Sequence, residues 1–154
     1  MDKESVVGVA SDHGGYELKE EIYQYLLDQG YQVVNLGCFD ESSVDYPDYA
    51  LKLGESLKEG EIDRGILVCG TGIGISIAAN KIPGIRAAQC HDIYTAQMAR
   101  EHNDANVLAL GGRITGKNTS LRIVDIFMST KFGEGRHKKR VEKISEIEQK
   151  YKKS

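Results

Sequence analysis

The stretch Gly65-Ile66-Leu67-Val68-Cys69-Gly70-Thr71-Gly72-Ile73-Gly74-Ile75-Ser76 joins an apolar run directly to a glycine loop. The run is typical of a parallel strand buried on both faces. Glycines at every second loop position let backbone N–H groups turn toward a ligand, and residues 76–82 predict a helix whose positive end faces the same place. The stretch therefore predicts a strand, an anion-binding loop and a helix. Cys69 lies between strand and loop, where the thiolate form of a cysteine is favoured.

Short β-branched runs alternate with amphipathic stretches on both sides of this segment. Strands are predicted over residues 6–10, 33–36, 65–68, 86–90 and 107–110, and helices over 16–29, 49–58, 76–82, from 92 onward, and over 138–153. Strict alternation implies right-handed crossovers and a parallel sheet covered on both faces. The sequence predicts a single-domain three-layer α/β/α sandwich with a five-stranded parallel, Rossmann-like sheet and a C-terminal helix.

Bulk composition limits the classes of function. A chain of 154 residues that is 40% hydrophobic fits one domain, 1–154, and its net charge of −3 argues against a general nucleic-acid binder. Without an apolar signal segment at the start or a long apolar run, we expect a cytoplasmic protein that contacts no membrane. Three cysteines without C-x-x-C spacing are expected to be free thiols, and four histidines without ligand spacing predict no metal or cofactor.

The glycine loop has alternative interpretations. Its G-x-G-x-G spacing resembles a dinucleotide fingerprint, but Ile75 stands where the third small residue is required. A phosphate P-loop would need Gly-Lys-Ser/Thr at its end, which is absent from this segment. A small-anion or oxyanion cradle is favoured, and a structural turn or a nucleotide site stays open.

Polar groups follow other predicted strands as well, and ligands collect outside the carboxyl ends of parallel strands. These segments are Asp12-His13-Gly14-Gly15, Asp45-Tyr46-Pro47 and Gly111-Gly112-Arg113. We expect one cleft to collect them with the Cys69 loop. Asp12 could instead be a helix N-cap and Tyr46 an aromatic plug. Cys90-His91-Asp92 competes for the role of nucleophile or base, but neighbours on a strand point to opposite faces, so Cys69 is preferred.

Arg136 and Arg140 are four residues apart at the start of the predicted last helix. Such a pair repels itself when unoccupied, and a phosphate dianion can accept forked hydrogen bonds from both guanidinium groups. The alternative is a solvated basic helix end. Together with an anion-binding loop, the pair favours a phosphorylated substrate.

Five strings together carry a resemblance to a known family. They are Asp12-His13-Gly14-Gly15, Asp45-Tyr46-Pro47, residues 69–81 (CGTGIGISIAANK), residues 102–108 (HNDANVL) and Gly135-Arg136-His137. In this order and spacing the chain resembles ribose-5-phosphate isomerase type B, of the family that also holds galactose-6-phosphate isomerase subunits. The resemblance implies a metal-free, cofactor-free aldose–ketose isomerase of the pentose phosphate pathway. It would interconvert ribose 5-phosphate and ribulose 5-phosphate through an enediolate, as a homodimer or a dimer of dimers.

The resemblance also implies roles for individual residues. Cys69 matches the proton-abstracting base and His102 the ring-opening acid, and Thr71 is expected to help move protons between oxygens. The implied oxyanion loop consists of Gly70, Gly72, Ile73 and Gly74. Sugar and phosphate contacts fall on Asp12, His13, Asn103, Arg113, Arg136 and Arg140, with Tyr46 lining the cleft. A second branch of the family has a glutamate base at the position of Ile75, so this chain resembles the cysteine branch.

The predicted topology adds an expectation about assembly. The helix after strand four returns to the opposite end of the sheet, which puts His102 and Asn103 before strand five, away from Cys69. If they act in catalysis, a second copy must present them, so we expect active sites shared across a dimer. Two alternatives stay open: an isomerase of a six-carbon sugar phosphate such as allose 6-phosphate or galactose 6-phosphate, and a non-catalytic phospho-sugar sensor.

Overall fold

The computed structural model describes residues 1–152, which form five strands and six α-helices. The strands are β1 Val6–Ser11, β2 Gln32–Asn35, β3 Arg64–Cys69, β4 Ala87–Gln89 and β5 Val107–Gly111. The helices are α1 Tyr16–Asp28, α2 Tyr46–Lys58, α3 Ile73–Ala79, α4 Ile93–Glu101, α5 Lys117–Ser129 and α6 Arg136–Lys150, and a 3-10 turn over His13–Gly15 precedes α1. Across residues 1–152, no helix is both long and apolar enough to cross a membrane.

All strand pairs are parallel, and the strand order is β2-β1-β3-β5-β4. Two buried clusters cover the two faces of this sheet. Ile66 and Val68 of β3 belong to the cluster packed with α1 and α5, and Leu67 and Cys69 belong to the cluster packed with α2 and α3. This alternation follows from the two-residue period of a strand. The predicted three-layer sandwich with five parallel strands is confirmed.

Some element boundaries differ from the sequence prediction. Helix α3 begins at Ile73, three residues early, because Gly72 adopts a left-handed φ of 81° and turns the chain into the helix at once. Helix α5 was not predicted, although Leu121, Val124 and Met128 give it an apolar face at helical spacing. Helix α6 begins at Arg136 rather than 138, and the predicted end of that helix at residue 153 lies outside the described residues.

The sheet has two functionally different ends. At its carboxyl end lie the segments that follow the strands, and at its amino end lie the segments that follow α4 and α5. A strand rises about 3.3 Å per residue, so the five residues of β5 separate the two ends by roughly 16 Å. Groups at opposite ends of one chain therefore do not share a small-molecule site.

Candidate active site

The Cys69 thiol is the buried centre of the carboxyl end. Cys69 is the last residue of β3 and is 5% exposed, and the Gly72 N–H donates to its Sγ at 3.1 Å. A charge-bearing acceptor holds such a hydrogen bond more strongly than a neutral one, so this contact suits a thiolate. Within residues 1–152, the N–H groups of Gly70 and Thr71 donate to no protein acceptor. The loop thus presents backbone donors beside the sulfur.

Arg113 and Tyr46 close in on this loop from two sides. A β-carbon at Gly70 would lie 3.2 Å from Arg113 Nη1, and one at Gly14 would lie 3.3 Å from Arg113 Nη2. Tyr46 packs on Gly74 so closely that a β-carbon there would lie 2.7 Å from the ring. The backbone of Arg113 is fixed as well, because its N–H donates to the Gly70 carbonyl at 3.0 Å. The carboxyl end therefore joins the β3 loop with the segment after β5 and with the start of α2.

Asp12 and His13 complete the carboxyl-end group. Asp12 is buried and its Oδ1 accepts the Gly15 N–H at 3.1 Å, so the N-cap interpretation of this residue is correct. His13 is half-buried, and the Val44 N–H donates to its Nδ1 at 3.1 Å. The Val44 carbonyl lies 3.2 Å from the same nitrogen, so the backbone of one residue faces this edge of the ring. Both residues follow β1 directly, as predicted.

Two residues that shape this end were missed by the sequence analysis. Gln89, the last residue of β4, donates from Nε2 to the Thr71 carbonyl at 2.9 Å. Val44 supplies the backbone partner of His13. The position of Gln89 at the carboxyl end of a strand was a usable signal, whereas nothing in the sequence marks Val44. Thr71 itself is exposed, and its Oγ1 accepts the Ile73 N–H at 3.2 Å.

The competing thiol, Cys90, lies in the hydrophobic core. It is 1% exposed, and burial raises the pKa of its thiol to about 11. A hydrogen bond with Thr95 lowers this pKa, but by less than burial raises it. A thiol that stays protonated is neither a good base nor a good nucleophile. Cys38 is also buried, and all three cysteines are free.

A second group of predicted site residues lies at the amino end. His102 caps the C-terminus of α4, and its ring stacks on that of His137 with centroids 4.1 Å apart and planes inclined by 15°. The Gly133 N–H donates to the Glu101 carbonyl at 2.8 Å, which ties the segment before α6 to the end of α4. Arg136 and Arg140 are exposed on the first turns of α6, beside His137.

The charges of this group act on one another. Burial lowers the pKa of His137, and the positive charges of His102, Arg136 and Arg140 lower it further. Cations in mutual repulsion favour an anion in their midst. The electrostatics of the amino-end group therefore favour a bound anion.

The turn after His102 is held by ion pairs. Asp104 adopts a φ of 46°, Arg100 Nη1 donates to its Oδ1 at 2.8 Å, and Arg86 Nη2 donates to its carbonyl oxygen at 2.9 Å. Arg86 Nε also donates to the Asn103 carbonyl at 3.2 Å. Asn103 is exposed at this turn. Since Arg100 is almost fully buried, the turn is anchored to the core and presents His102 and Asn103 outward.

The structure divides the predicted site residues into two groups that one chain does not unite. Cys69, Thr71, the loop glycines, Ile73, Asp12, His13, Tyr46 and Arg113 belong to the carboxyl end; His102, Asn103, Arg136 and Arg140 belong to the amino end. Within one chain, the arginine pair does not lie beside the glycine loop. The segment from α5 to α6 brings the pair to the amino end, next to His102.

No three His, Cys, Asp or Glu side chains of residues 1–152 are grouped as a metal site would require. Asp12, His13 and Cys69 lie at the same carboxyl end of the sheet. Asp12 and His13 are instead engaged by backbone N–H groups.

Comparison with known proteins gives the family. Residues 7–144 match the family model described as Ribose/Galactose Isomerase. The chain is 46% identical over 143 residues to ribose-5-phosphate isomerase B of Escherichia coli (strain K12), covering 93% of this chain and 96% of that protein.

Solved structures agree with this match. The structure of Clostridium thermocellum ribose-5-phosphate isomerase B superposes with a TM-score of 0.94 at 57% identity and covers 96% of this chain and 99% of that one. The crystal structure of ribose-5-phosphate isomerase B from Mycoplasma genitalium with bound ribulose-5-phosphate has a TM-score of 0.89 at 40% identity, covering 94% and 96%. The chain belongs to the ribose/galactose isomerase family.

Proposed function

We propose that this member of the family interconverts ribose 5-phosphate and ribulose 5-phosphate through a cis-enediolate, with Cys69 as the base. The observation that carries the proposal is a buried thiol at the end of β3 that accepts the Gly72 N–H and lies beside the N–H groups of Gly70 and Thr71, which donate to no acceptor among residues 1–152. The relatives named as ribose-5-phosphate isomerase B support the same reaction.

The proposed chemistry moves one proton between two carbons. The Cys69 thiolate takes the proton from C2 of the open-chain aldose, and the electrons of the broken C–H bond form the C1–C2 double bond while negative charge develops on O1. Backbone N–H groups of the Gly70–Gly74 loop stabilise that oxyanion. Thr71 assists transfer of the O2 proton to O1, and the thiol returns its proton to C1, which yields the ketose.

The roles of the amino-end residues require a second copy of the chain. In this proposal His102 of one copy donates to the ring oxygen of the furanose bound at the other copy's Cys69, with Asn103 beside it. Arg136 and Arg140 then bind the phosphate together with the Arg113 of the chain that holds Cys69. Asp12, His13 and Tyr46 contact the sugar hydroxyls. The functional unit is therefore a homodimer, or a dimer of dimers, with shared sites.

The surface near the amino-end group supports this assembly. No residue of α6 is buried, and Ile144, Ile147 and Tyr151 on one side of the helix are 45%, 61% and 76% exposed. They line a cavity of about 780 Å³ against Arg86 and against Ala87 and Ala88 of the edge strand β4. Exposed apolar area of this kind typically marks a protein interface. We also propose a cytoplasmic location, since three free thiols suit a reducing compartment.

A substrate panel tests the proposed function. Five- and six-carbon aldose phosphates are incubated with the chain in the presence of a chelator, and ketose formation is measured. We expect conversion of ribose 5-phosphate, undiminished by the chelator and faster than that of allose 6-phosphate or galactose 6-phosphate. Failure to convert any aldose phosphate would contradict an isomerase function, and preference for a six-carbon substrate would reassign its specificity.

A further inference from the structure

A fully buried lysine lies next to the loop that leads into the carboxyl-end site. Lys19 of α1 is 0% exposed and shares the buried face of the helix with Ile22 and Leu26. Lysine is almost never fully buried unless its charge is paired, because desolvation of an ammonium group is costly. Neither the proposed chemistry nor the family match gives this residue a role.

The Lys19 ammonium uses its three N–H groups on three acceptors. It donates to Glu20 Oε2 at 2.6 Å, to Asn35 Oδ1 at 3.1 Å and to the Cys38 carbonyl at 2.7 Å. Burial raises the pKa of the Glu20 carboxyl, but hydrogen bonds from Lys19 and Asn35 outweigh this and leave the pKa lowered. The carboxylate is thus held ionised beside the lysine.

Two of these acceptors, Asn35 and Cys38, lie at the end of β2 and just after it. Asn35 Oδ1 also accepts the Gly37 N–H at 3.1 Å. Gly37 and Cys38 in turn bond to Ser11, since the Ser11 N–H donates to the Gly37 carbonyl at 2.7 Å and the Cys38 N–H to the Ser11 carbonyl at 3.0 Å. Lys19 therefore fixes the start of this connection against the residue that precedes Asp12 and His13.

The far end of the same connection forms part of the site. Val44 donates its N–H to His13 Nδ1, and Tyr46 packs on Gly74 of the catalytic loop. Residues 39–45 between these points are in neither helix nor strand, and Phe39 is 65% exposed. A segment without secondary structure depends on the anchors at its ends for its position.

We propose that Lys19 is a positioning residue of the active site. It acts through the connection formed by residues 36–45, because it hydrogen-bonds to Asn35 and Cys38 at the start of that connection. In this way it maintains the orientation of the His13 ring and the position of Tyr46 over the glycine loop. Being fully buried, it never touches the substrate. The catalytic consequence rests on the proposed isomerase function, whereas the positioning of Val44 and His13 does not.

Amide hydrogen exchange tests the positioning directly and needs no turnover. In Lys19→Met, we expect the amides of Cys38 and Val44 to lose protection while those of α5 keep theirs. Ile22→Val is the matched control, because it weakens the same buried face of α1 without touching the connection. Equal protection of Cys38 and Val44 in the Lys19→Met variant and this control would overturn the proposal. If Lys19→Met does not fold, Asn35→Ala removes the shared acceptor from a half-buried site and is expected to change the same amides.

Kinetics test the consequence for the reaction. Displacement of catalytic groups by about an ångström costs on the order of 10²-fold, so we expect kcat/KM for ribose 5-phosphate to fall about 10- to 100-fold in Lys19→Met. In a His13→Ala background, Lys19→Met should lower kcat/KM by a much smaller factor, because the part of the effect that passes through the His13 ring is already lost. Additive losses would show that Lys19 acts on stability alone. An inactive wild type with the expected exchange pattern would contradict the proposed function but leave the positioning intact.

Discussion

The carboxyl-end and amino-end groups are built in different ways. Cys69 and Asp12 are buried at the ends of central strands, and backbone N–H groups within the same chain hold their polar atoms. His102 is half-buried, and Arg136 and Arg140 are exposed side chains on helix ends. The first group is pre-organised by the fold of one chain. The second is oriented by a ring stack and ion pairs and leaves its polar ends free.

This difference indicates how the two groups are used. A base and an oxyanion loop need fixed geometry, because their contribution depends on alignment with the reacting carbons. A phosphate anchor needs charge and reach, which long exposed side chains provide. The parallel sheet places the first group at its carboxyl end, and the connections that return to its amino end carry the second. In the proposed dimer, each site would combine the first group of one chain with the second group of the other.

Removal of the base is expected to have the largest effect. Cys69→Ala should lower kcat by about 10²- to 10⁴-fold, the range expected for loss of a positioned base, while binding of the sugar phosphate persists. Steady-state assays with ribose 5-phosphate and a separate binding measurement check this. Cys90→Ala is the control, since that thiol is buried and its raised pKa keeps it protonated. A comparable loss in Cys90→Ala alone would reverse the assignment.

Subunit mixing tests whether the two groups meet across a dimer. Homodimers of Cys69→Ala and of His102→Ala should both be nearly inactive. After partial unfolding and reassembly of an equal mixture, half of the dimers are hybrids with one intact site, so about a quarter of wild-type activity should return. Native mass spectrometry establishes that hybrids form. Hybrids without regained activity would mean that Cys69 and His102 do not act in trans.

Loss of one arginine of the pair is expected to have a smaller effect. Arg136→Ala or Arg140→Ala removes a charge-assisted hydrogen bond worth about 1.5–3 kcal/mol, so KM should rise roughly 10- to 100-fold with a lesser change in kcat. Competitive inhibition by inorganic phosphate should weaken in parallel. Lys143→Ala, on the same helix, is the control for general loss of positive charge. Unchanged phosphate inhibition in both arginine variants would identify the pair as a solvated helix end.

The smallest expected effect is a change in the titration of His137. Its lowered pKa arises from burial first and from the positive charges of His102, Arg136 and Arg140 second. A phosphate dianion between these cations stabilises the imidazolium form, so its binding should raise the pKa of His137 toward the ordinary histidine value. NMR titration of the His137 ring with and without inorganic phosphate measures the shift, and Arg140→Gln should reduce it. Identical titration curves would place phosphate elsewhere.

The lowered pKa also sets the sign of the pH dependence of stability. Between the folded and the unfolded pKa of His137, the unfolded chain binds more protons than the folded chain. The contribution of this residue to the free energy of unfolding therefore falls as pH drops through that window, and it is present in full above the ordinary histidine pKa. In His137→Asn, which lacks the titrating ring, the free energy of unfolding should fall less as pH drops through this window. Equilibrium unfolding at several pH values measures the difference.

The sequence by itself determined the sheet, its five strands and the placement of Cys69 at the mouth of a glycine loop. These follow from local patterns: strand periodicity, glycine spacing and the rule that segments after parallel strands share one end of the sheet. The residues themselves indicated Cys69 and the Arg136–Arg140 pair, and the family resemblance added their catalytic and binding roles together with those of His102 and Asn103. Helix α5 was missed even though its apolar spacing was visible, and the starts of α3 and α6 shifted by two or three residues because glycines at 72 and 135 turn the chain.

Only the tertiary structure decided which groups meet. The stacking of His102 on His137, the bond from Gln89 to Thr71 and the bond from Val44 to His13 join residues 18 to 35 positions apart that no periodic pattern relates. The burial of Lys19 was equally hidden, because a lysine beside an apolar stripe reads as a surface residue until its acceptors are known. Contacts between distant segments depend on how connections pack across the sheet, and that packing is a property of the whole chain rather than of any stretch within it.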